Sequence, residues 1–439
     1  MKSKVLYVSH SGAIAGAETC LLTLLDYLDR DRFEPVVTVP WNGLLREKIE
    51  GRGVKLHLAN AEWWIRPESA FGRGRMNIAG CVDEIRRVIE IERPAIVHTN
   101  SSVVLSGALA AREAGIPHIW HVHEMLVGHP GLASLFPLPL IYWMMNALSD
   151  RIVTVSDAAR RPLASGVDLE RLVTIHNGVA MTRPSSERIP LHRELSLPPD
   201  AIVIATIGRL GPEKGYDNLL RAASRAKERG ARVCFVIVGG GLPVETASLT
   251  RKIESLSLKG SVHYLGERDD VSSVLESIDL LVVPSLTESF CLAAVEAMAM
   301  RRPVVATDCG GPSEIVVDGE TGLIVPVNDS ERLCDAIIEL ASNKRRRKEM
   351  GEKGFNRYVE KFRAEIYALE FEALYDEVLH SMTRRSDADR EIAFFLTSVY
   401  QNLNDCRGGG AASPEGPSPL RRLLSPRRWA RRIGNLLRS

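Results

Sequence analysis

PSLTESFCLAAVEAMAM, residues 284–300, follows the apolar run LLVV and decides how the chain is read. A buried strand is expected to end at Pro284-Ser285, a loop to carry Glu288, and a helix to start at about Cys291. Glu288 then sits at the mouth of the strand, and Glu296 lies about a turn and a half into the helix. The amides of Ser289, Phe290 and Cys291 open the helix without intrahelical partners, which makes an anion site. Carboxylates on either side of an anion site suit the hydroxyls of sugars that flank a phosphate. Either carboxylate alone also reads as a helix-start acid favoured by the macrodipole, worth about 0.3–1 kcal/mol. The whole phrase argues against that plainer reading.

On both sides of this phrase the chain alternates short apolar runs with helical patterns. Around it lie IVIATIG (202–208), VCFVIVG (233–239), SVHYLG (261–266), PVVATD (303–308) and GLIVP (322–326), with a helix from Tyr216. Upstream lie VLYVS (5–9), EPVVTVP (34–40), IVHTN (96–100), HIWHVH (118–123) and RIVTVS (151–156). Helices are expected from about Ala17 to Leu28, near Leu44–Arg52, and in the stretch that ends at Ala114. Near-continuous apolar strands between amphipathic helices mean a parallel sheet covered on both faces. The rhythm pauses between Met181 and Asp200, where Pro184, Pro190, Pro198 and Pro199 fall. The expected fold class is α/β: two facing Rossmann-like doubly wound domains, 1–180 and 200–363, joined by a linker at 181–199. A helix over 364–382 closes the second domain or crosses back to the first, and a helical, Arg-rich extension occupies 383–439. Ligands of such folds bind at the carboxyl ends of the strands, here in the cleft between the domains.

Two further segments carry chemistry. In TIGRLGPEKGYDNLLRAA (206–223) a strand ends at Gly208, and Arg209 and Lys214 follow in a Gly/Pro loop before a helix. Two cations there neutralise a diphosphate and stabilise its departure; solvated surface charge is the alternative. In HIWHVHE (118–124), His121 and His123 share one face of a strand, and Trp120 and Val122 the other. No third ligand at suitable spacing supports a metal site, and His121 reads as a buried, hydrogen-bonded core histidine. Gly16, in Ala15-Gly16-Ala17-Glu18, lets backbone approach a ligand after the first strand. Asn177-Gly178 reads as a tight turn, and Asp29-Arg30-Asp31 as a solvated turn that only literally matches a metal motif.

Composition narrows the class. At roughly 100–200 residues per domain, 439 residues imply two domains with extras. The seven cysteines are scattered without a C-x-x-C pair, which fits reduced thiols in a cytoplasm and no zinc site. The start of the chain reads as a first strand, not a signal peptide. No stretch reaches the roughly 20 apolar residues of a membrane span. The charge-free Gly131–Met145 comes nearest and is broken by Pro137 and Pro139. Net charge is +1, but residues 407–439 hold eight Arg and one Glu, which leaves the first 406 residues at −6. An acidic body disfavours nucleic acid as a partner. Ser425-Pro426 starts a helix that aligns Trp429, Ile433, Leu436 and Leu437 on one face and keeps Arg428, Arg431, Arg432 and Arg438 off it. That is the pattern of an interfacial helix on anionic lipid. Phe136, Tyr142 and Trp143, and the pair Trp63-Trp64, are expected to add apolar membrane contacts.

Taken together, SDRIVTVSDAAR, IHNGV, IGRLGPEKGYDNLLRAA, VIVGGG, LVVPSLTESFCLAAVEAMA and PVVATDCGGPSEIVVDGETGLIVP resemble the retaining GT-B glycosyltransferases of family 4. The resemblance runs from about Val5 to Met382 and is densest from Asp150 to Pro326. It implies transfer of a sugar from a UDP- or GDP-linked donor to an acceptor hydroxyl, in polysaccharide or glycolipid assembly. It implies that Arg209 and Lys214 bind the donor diphosphate, that Glu296 holds the ribose hydroxyls, and that Glu288 contacts the transferred sugar. Ser289, Phe290, Cys291 and Leu292 would offer amides to sugar and phosphate. Gly16 would lie in the phosphate-facing loop, and His123 rather than His121 on the catalytic face. The donor is a substrate, and neither a metal nor another cofactor is expected. The acceptor is a saccharide or lipid-linked, and the location cytoplasmic, with residues 407–439 as a means of peripheral attachment to an anionic membrane. The chain departs from the family at Cys291, where Gly is frequent, and at Ala15-Gly16, where two glycines are common. Other enzymes of this fold, such as a nucleotide-sugar epimerase or a phosphorylase, remain alternatives. A Rossmann oxidoreductase is disfavoured because no G-x-G-x-x-G follows the first strand. A non-enzymatic binding module is disfavoured because Arg209, Lys214, Glu288 and Glu296 are all present.

Overall fold

A computed structural model of the chain describes residues 2–66, 77–129, 131–134, 136–181 and 189–381. Two parallel sheets form. Across the seven-stranded first sheet the order is Lys55–Leu58, Phe33–Val39, Ser3–Val8, Ile96–Thr99, His118–Val122, Arg151–Thr154 and Leu172–Thr174. Across the six-stranded second sheet it is Val262–Tyr264, Val233–Val238, Ile202–Ile207, Leu280–Val283, Val304–Thr307 and Gly322–Val325. Both are doubly wound, as expected. Alternation along each strand feeds two apolar layers. In the first sheet Leu6 and Val8 pack with helices Ile78–Glu92, Ser106–Ala114 and Leu138–Leu148. Val5 and Tyr7 pack on the opposite face with helices Gly16–Tyr27 and Ala364–His380.

The strand order reverses between Ser3–Val8 and Ile96–Thr99 in one sheet, and between Ile202–Ile207 and Leu280–Val283 in the other. A crevice opens outside the carboxyl ends at such a reversal, because the two connections leave in opposite directions. The segments that follow these strands therefore build the site.

Helix Ala364–His380 resolves the choice left by sequence: it crosses back onto the first domain. The chain passes between domains twice, and the two passages lie side by side, with Val179 N–H donating to Phe362 O (2.8 Å) and Ala364 N–H to Val179 O (3.2 Å). Asn177-Gly178 belongs to this passage and is not the tight turn expected. Glycine is required there for space, since a Cβ on Gly178 would stand 2.5 Å from Cβ of Tyr367. Glu372 then accepts from Asp29 N–H (2.7 Å) and from Arg32 (2.7 Å), and Tyr367, Phe371 and Tyr375 are wholly buried.

Other departures have simple causes. Strands Lys55–Leu58 and Leu172–Thr174 were not anticipated; they are short edge strands, and Lys55 and Leu58 are exposed. Within the proline-rich stretch, residues 191–194 form a short helix whose Leu191 is buried in the second domain's core. Pro184 lies outside the described residues. The aromatics expected at a membrane face inward. Phe136 and Tyr142 are buried, Trp143 packs on the same core, and Trp64 is fully buried with its indole N–H donating to Ser102 O (2.8 Å). Trp63 donates to His10 O (2.9 Å). Among the described residues no helix is long and apolar enough to cross a membrane. The basic tail, with Ser425, Trp429 and its arginines, lies outside them.

Candidate functional site

Glycine builds the second domain's side of the cleft. Gly215 has φ +66°, and a Cβ on it would stand 2.0 Å from Pro284 O; Gly239 has φ +148°, and its Cβ would stand 1.9 Å from Gly208 O. Segments leaving three strands thus touch backbone to backbone. Leu286 N–H donates to Glu213 O (2.7 Å), which ties the cationic loop to the strand mouth. Lys214 Nζ consequently lies 2.6 Å from Glu288 Oε1, and Ser285 Oγ donates to the same oxygen at 2.8 Å. Burial works against the Lys214 charge, but the Glu288 carboxylate, with Glu213 behind it, outweighs it and holds its pKa above the usual lysine value. Arg209 stands on the rim, 61% exposed, with its guanidinium 2.6 Å from the buried Glu213 carboxylate.

The backbone of Glu288 is clamped from both sides: its N–H donates to Cys309 O (3.1 Å) and its carbonyl accepts from Gly311 N–H (2.8 Å). Helix Leu292–Ala299 begins one residue later than expected, with Cys291 at its cap. The amides of Ser289, Phe290 and Cys291 donate to no group among the described residues. Phe290 is an anchor, its ring set edge-on to Phe362 at 6.0 Å, so only its amide serves the crevice. Burial, and after it the Glu288 carboxylate, pushes the Cys291 thiol far up, so it stays neutral. Burial alone raises Glu296 to about 7.

Across the cleft, the position that a Cβ on Gly16 would take lies 3.9 Å from Leu292 Cδ1, so the two helix starts face each other. His123 follows strand His118–Val122, and its Nε2 lies 3.2 Å from Asn100 Oδ1. Its backbone carbonyl accepts the Ser289 hydroxyl, a direct tie between the domains. Burial, opposed by Glu124 and assisted by His10, lowers His123 to about 4, so the ring is neutral at physiological pH. Glu124 is committed to four donors: Ser101 Oγ, Ser102 Oγ, Ser102 N–H (3.0 Å) and the backbone N–H of His123 (3.2 Å). His121 is buried as expected, but it is not hydrogen-bonded, since neither ring nitrogen has a partner among the described residues.

The sequence reading missed several residues here. Asn100 and the serines that follow it gave no pattern beyond a strand end. Glu314 accepts from Asp157 N–H (2.8 Å) and Ala158 N–H (2.6 Å), tying the second domain to the start of a helix in the first. On the far flank of Gly16 the cleft widens into a cavity of about 1520 Å³, lined by Ile14, Thr19, Trp41, Leu265 and Arg268 among others.

Two facing doubly wound domains with a cationic, amide-rich crevice at the second domain's strand reversal define a GT-B glycosyltransferase. Residues 14–183 match Glycosyltransferase Family 4 and residues 187–357 match Glycosyl transferases group 1, and the chain belongs to this family. It is 30% identical over 302 residues to an uncharacterised glycosyltransferase of Methanocaldococcus jannaschii, covering 67% of this chain and 78% of that one. Against the D-inositol 3-phosphate glycosyltransferase of Mycobacterium tuberculosis it is 36% identical over 201 residues, covering 44% of this chain and only 41% of that one. Its fold matches the crystal structure of HepE from Anabaena in complex with UDP-glucose at a TM-score of 0.72 and 22% identity, covering 87% of this chain and all of that one.

The raised Glu296 has a thermodynamic signature. A carboxyl held near 7 in the folded state, against an ordinary 4.5, favours folding when protonated; that contribution is present below about 4.5 and lost as pH rises through about 7. Glu296→Gln keeps the neutral form at every pH. It is expected to raise the melting temperature at pH 8 and leave it nearly unchanged at pH 4.5; an equal shift at both, read by differential scanning fluorimetry, would contradict the assignment.

Proposed function

We propose that this glycosyltransferase moves a sugar, with retained anomeric configuration, from a UDP- or GDP-linked donor to an acceptor hydroxyl in polysaccharide or glycolipid assembly. One observation carries the reading: Lys214 meets Glu288 beside the unpaired amides of Ser289, Phe290 and Cys291, with Arg209 on the rim of the same loop, and Ser289 hydrogen-bonds the backbone of His123 across the cleft. The diphosphate takes Lys214 away from Glu288 and is held by Arg209 and the helix-start amides, Leu292 included. Glu288, released from Lys214, turns to the hydroxyls of the transferred sugar. Glu296 accepts from the ribose hydroxyls, which favours its ionised form. The base end extends past Gly16 toward the wider cavity. UDP is the first nucleotide to test, because the HepE crystals hold UDP and UDP-glucose.

Retention through a covalent sugar intermediate needs a carboxylate nucleophile close to the anomeric carbon. Glu124 is bound by two serines, and Glu288 keeps Ser285 and exchanges Lys214 for the hydroxyls of the transferred sugar, so neither is a free nucleophile. We therefore favour front-face substitution. The bond from the anomeric carbon to the phosphate oxygen breaks, the acceptor oxygen bonds the same face, and its proton passes to the departing phosphate. The protein's contribution is electrostatic: fixed cations and amides stabilise the leaving charge, so a metal is not required.

Arg209→Ala with Lys214→Ala is expected to abolish the thermal stabilisation that a nucleotide-sugar panel confers on the wild type, with the fold kept. Unchanged stabilisation of the folded double variant would defeat the assignment. With donor and acceptor in hand, transfer should persist in EDTA, and NMR of the product should show the donor's anomeric configuration; a requirement for Mg²⁺ or Mn²⁺, or an inverted product, contradicts the mechanism.

We also read the protein as peripheral on the cytoplasmic face of a membrane, near a lipid-linked acceptor. The support is the sequence of residues 407–439, where each basic residue near anionic lipid contributes about 1 kcal/mol before screening. Deleting these residues should abolish cosedimentation with anionic liposomes at low salt; equal binding with and without them removes the tail from the account.

A further inference from the structure

His121 is unusual among the buried histidines. Its ring is wholly buried, and neither nitrogen is hydrogen-bonded within the described residues. Burying a polar ring without partners is unfavourable, so hydrogen bonding does not account for His121, and the contacts of its ring are what it supplies there. Its neighbours are informative. His123 lies over it, ring centroids 3.9 Å apart, on the side of the cleft. Behind it stand Phe371 at 5.0 Å and Tyr367 at 6.5 Å, both from helix Ala364–His380. From the adjacent strand His98 approaches to 5.4 Å, and its Nδ1 lies 2.8 Å from the hydroxyl of Tyr375, which in turn donates to the Tyr7 hydroxyl (3.1 Å).

We infer that His121 is a positioning residue for His123: its ring is the surface that orients the catalytic-face imidazole and keeps it dry, and the crossover helix holds His121 in place. The inference rests on the reading that His123 faces the transferred sugar. Three contacts locate His123 besides His121: the Asn100 side chain at one ring nitrogen, Ser289 on its backbone carbonyl, and its own N–H donating to Glu124 (3.2 Å). None of them covers the face of the ring. His121 does, and it excludes water there.

The titratable groups packed around His121 are His98, Tyr367 and His123, with Tyr7 and Tyr375 behind His98, and with His10 and Glu124 beyond His123. Burial lowers the two histidines that flank His121 and raises Tyr7, Tyr367 and Tyr375, so these five rings are neutral near pH 7, whereas Glu124 beyond His123 is held below the usual carboxylate value and is ionised. A proton on His123 would place a charge against the buried, uncharged rings on one side, and Glu124 on the other side only partly offsets that cost. Helix Ala364–His380 follows the second domain in sequence and packs on the first, so the support behind His121 comes from a segment more than 240 positions along the chain.

The test reads His123 directly. In full-length protein with selectively labelled histidine, NMR follows the His123 ring through a pH titration, its resonance identified by its loss in His123→Ala. His121→Ala admits water and should raise the His123 midpoint by about one pH unit or more, toward the ordinary histidine range. His121→Phe, which keeps an apolar ring in place, should leave the midpoint low. An unchanged midpoint in folded His121→Ala overturns the proposal, as does a midpoint raised equally by His121→Phe. If His121→Ala does not fold, Phe371→Leu loosens the support without touching His121 and must move the midpoint in the same direction; no movement overturns the proposal. Failure of the underlying reading is distinguishable, because it would appear as undiminished sugar transfer by His123→Ala whatever the titration shows.

Discussion

The backbone contact between Gly215 and Pro284 is the constraint on which the donor side depends. With only 2.0 Å between a notional Cβ and the Pro284 oxygen, no side chain fits at residue 215, and φ is positive as well. Because the loops touch there, Lys214 and Glu288 face each other, although 73 residues separate them in the chain. The opposite charges offset one another's burial, and the pair is an arrangement that an incoming diphosphate can exchange. A larger residue at 215 would push the cationic loop off the strand mouth and separate cation, carboxylate and helix-start amides together.

The second organising feature is the return of helix Ala364–His380 to the first domain. Phe371 and Tyr375 bury full aromatic rings there, each worth on the order of 1.5–3 kcal/mol from apolar burial. Two strand-like passages, at Val179 and Phe362, run in contact beneath it. Ser289 on His123 and Glu314 on the helix start at Asp157 bridge the cleft farther along. The proposed catalytic face therefore draws on both domains, with His121 and helix Ala364–His380 behind His123 and Ser289 of the second domain bound to its backbone in front.

Much of this was legible from the linear pattern. Parallel, doubly wound sheets follow from apolar runs buried on both faces, and such runs survive any detail of packing. Lys214, Glu288 and the helix start after Phe290 were legible because strand end, loop and helix start are local events with local signatures. Less legible were features whose signal is shared with ordinary surface or core. Leu172–Thr174 is too short for a period to register. The tryptophans at 63 and 64 and the aromatics of 136–143 read equally well as membrane contacts or as core, and only their burial decided for the core.

What the sequence by itself determined is the set of local elements and their chemistry: which runs are strands, where helices start, and which charged groups stand at strand ends. Backbone hydrogen bonding, side-chain alternation and helix-start electrostatics act over a few residues, so a few residues suffice to read them. Only the tertiary structure decided that helix Ala364–His380 crosses back, that Glu124 serves two serines, that Asn177-Gly178 is a passage between domains, and that His121 lies unpaired behind His123. Each of these turns on which distant surfaces meet. Contact between residues hundreds of positions apart is set by the packing of whole layers, and a one-dimensional pattern does not carry it.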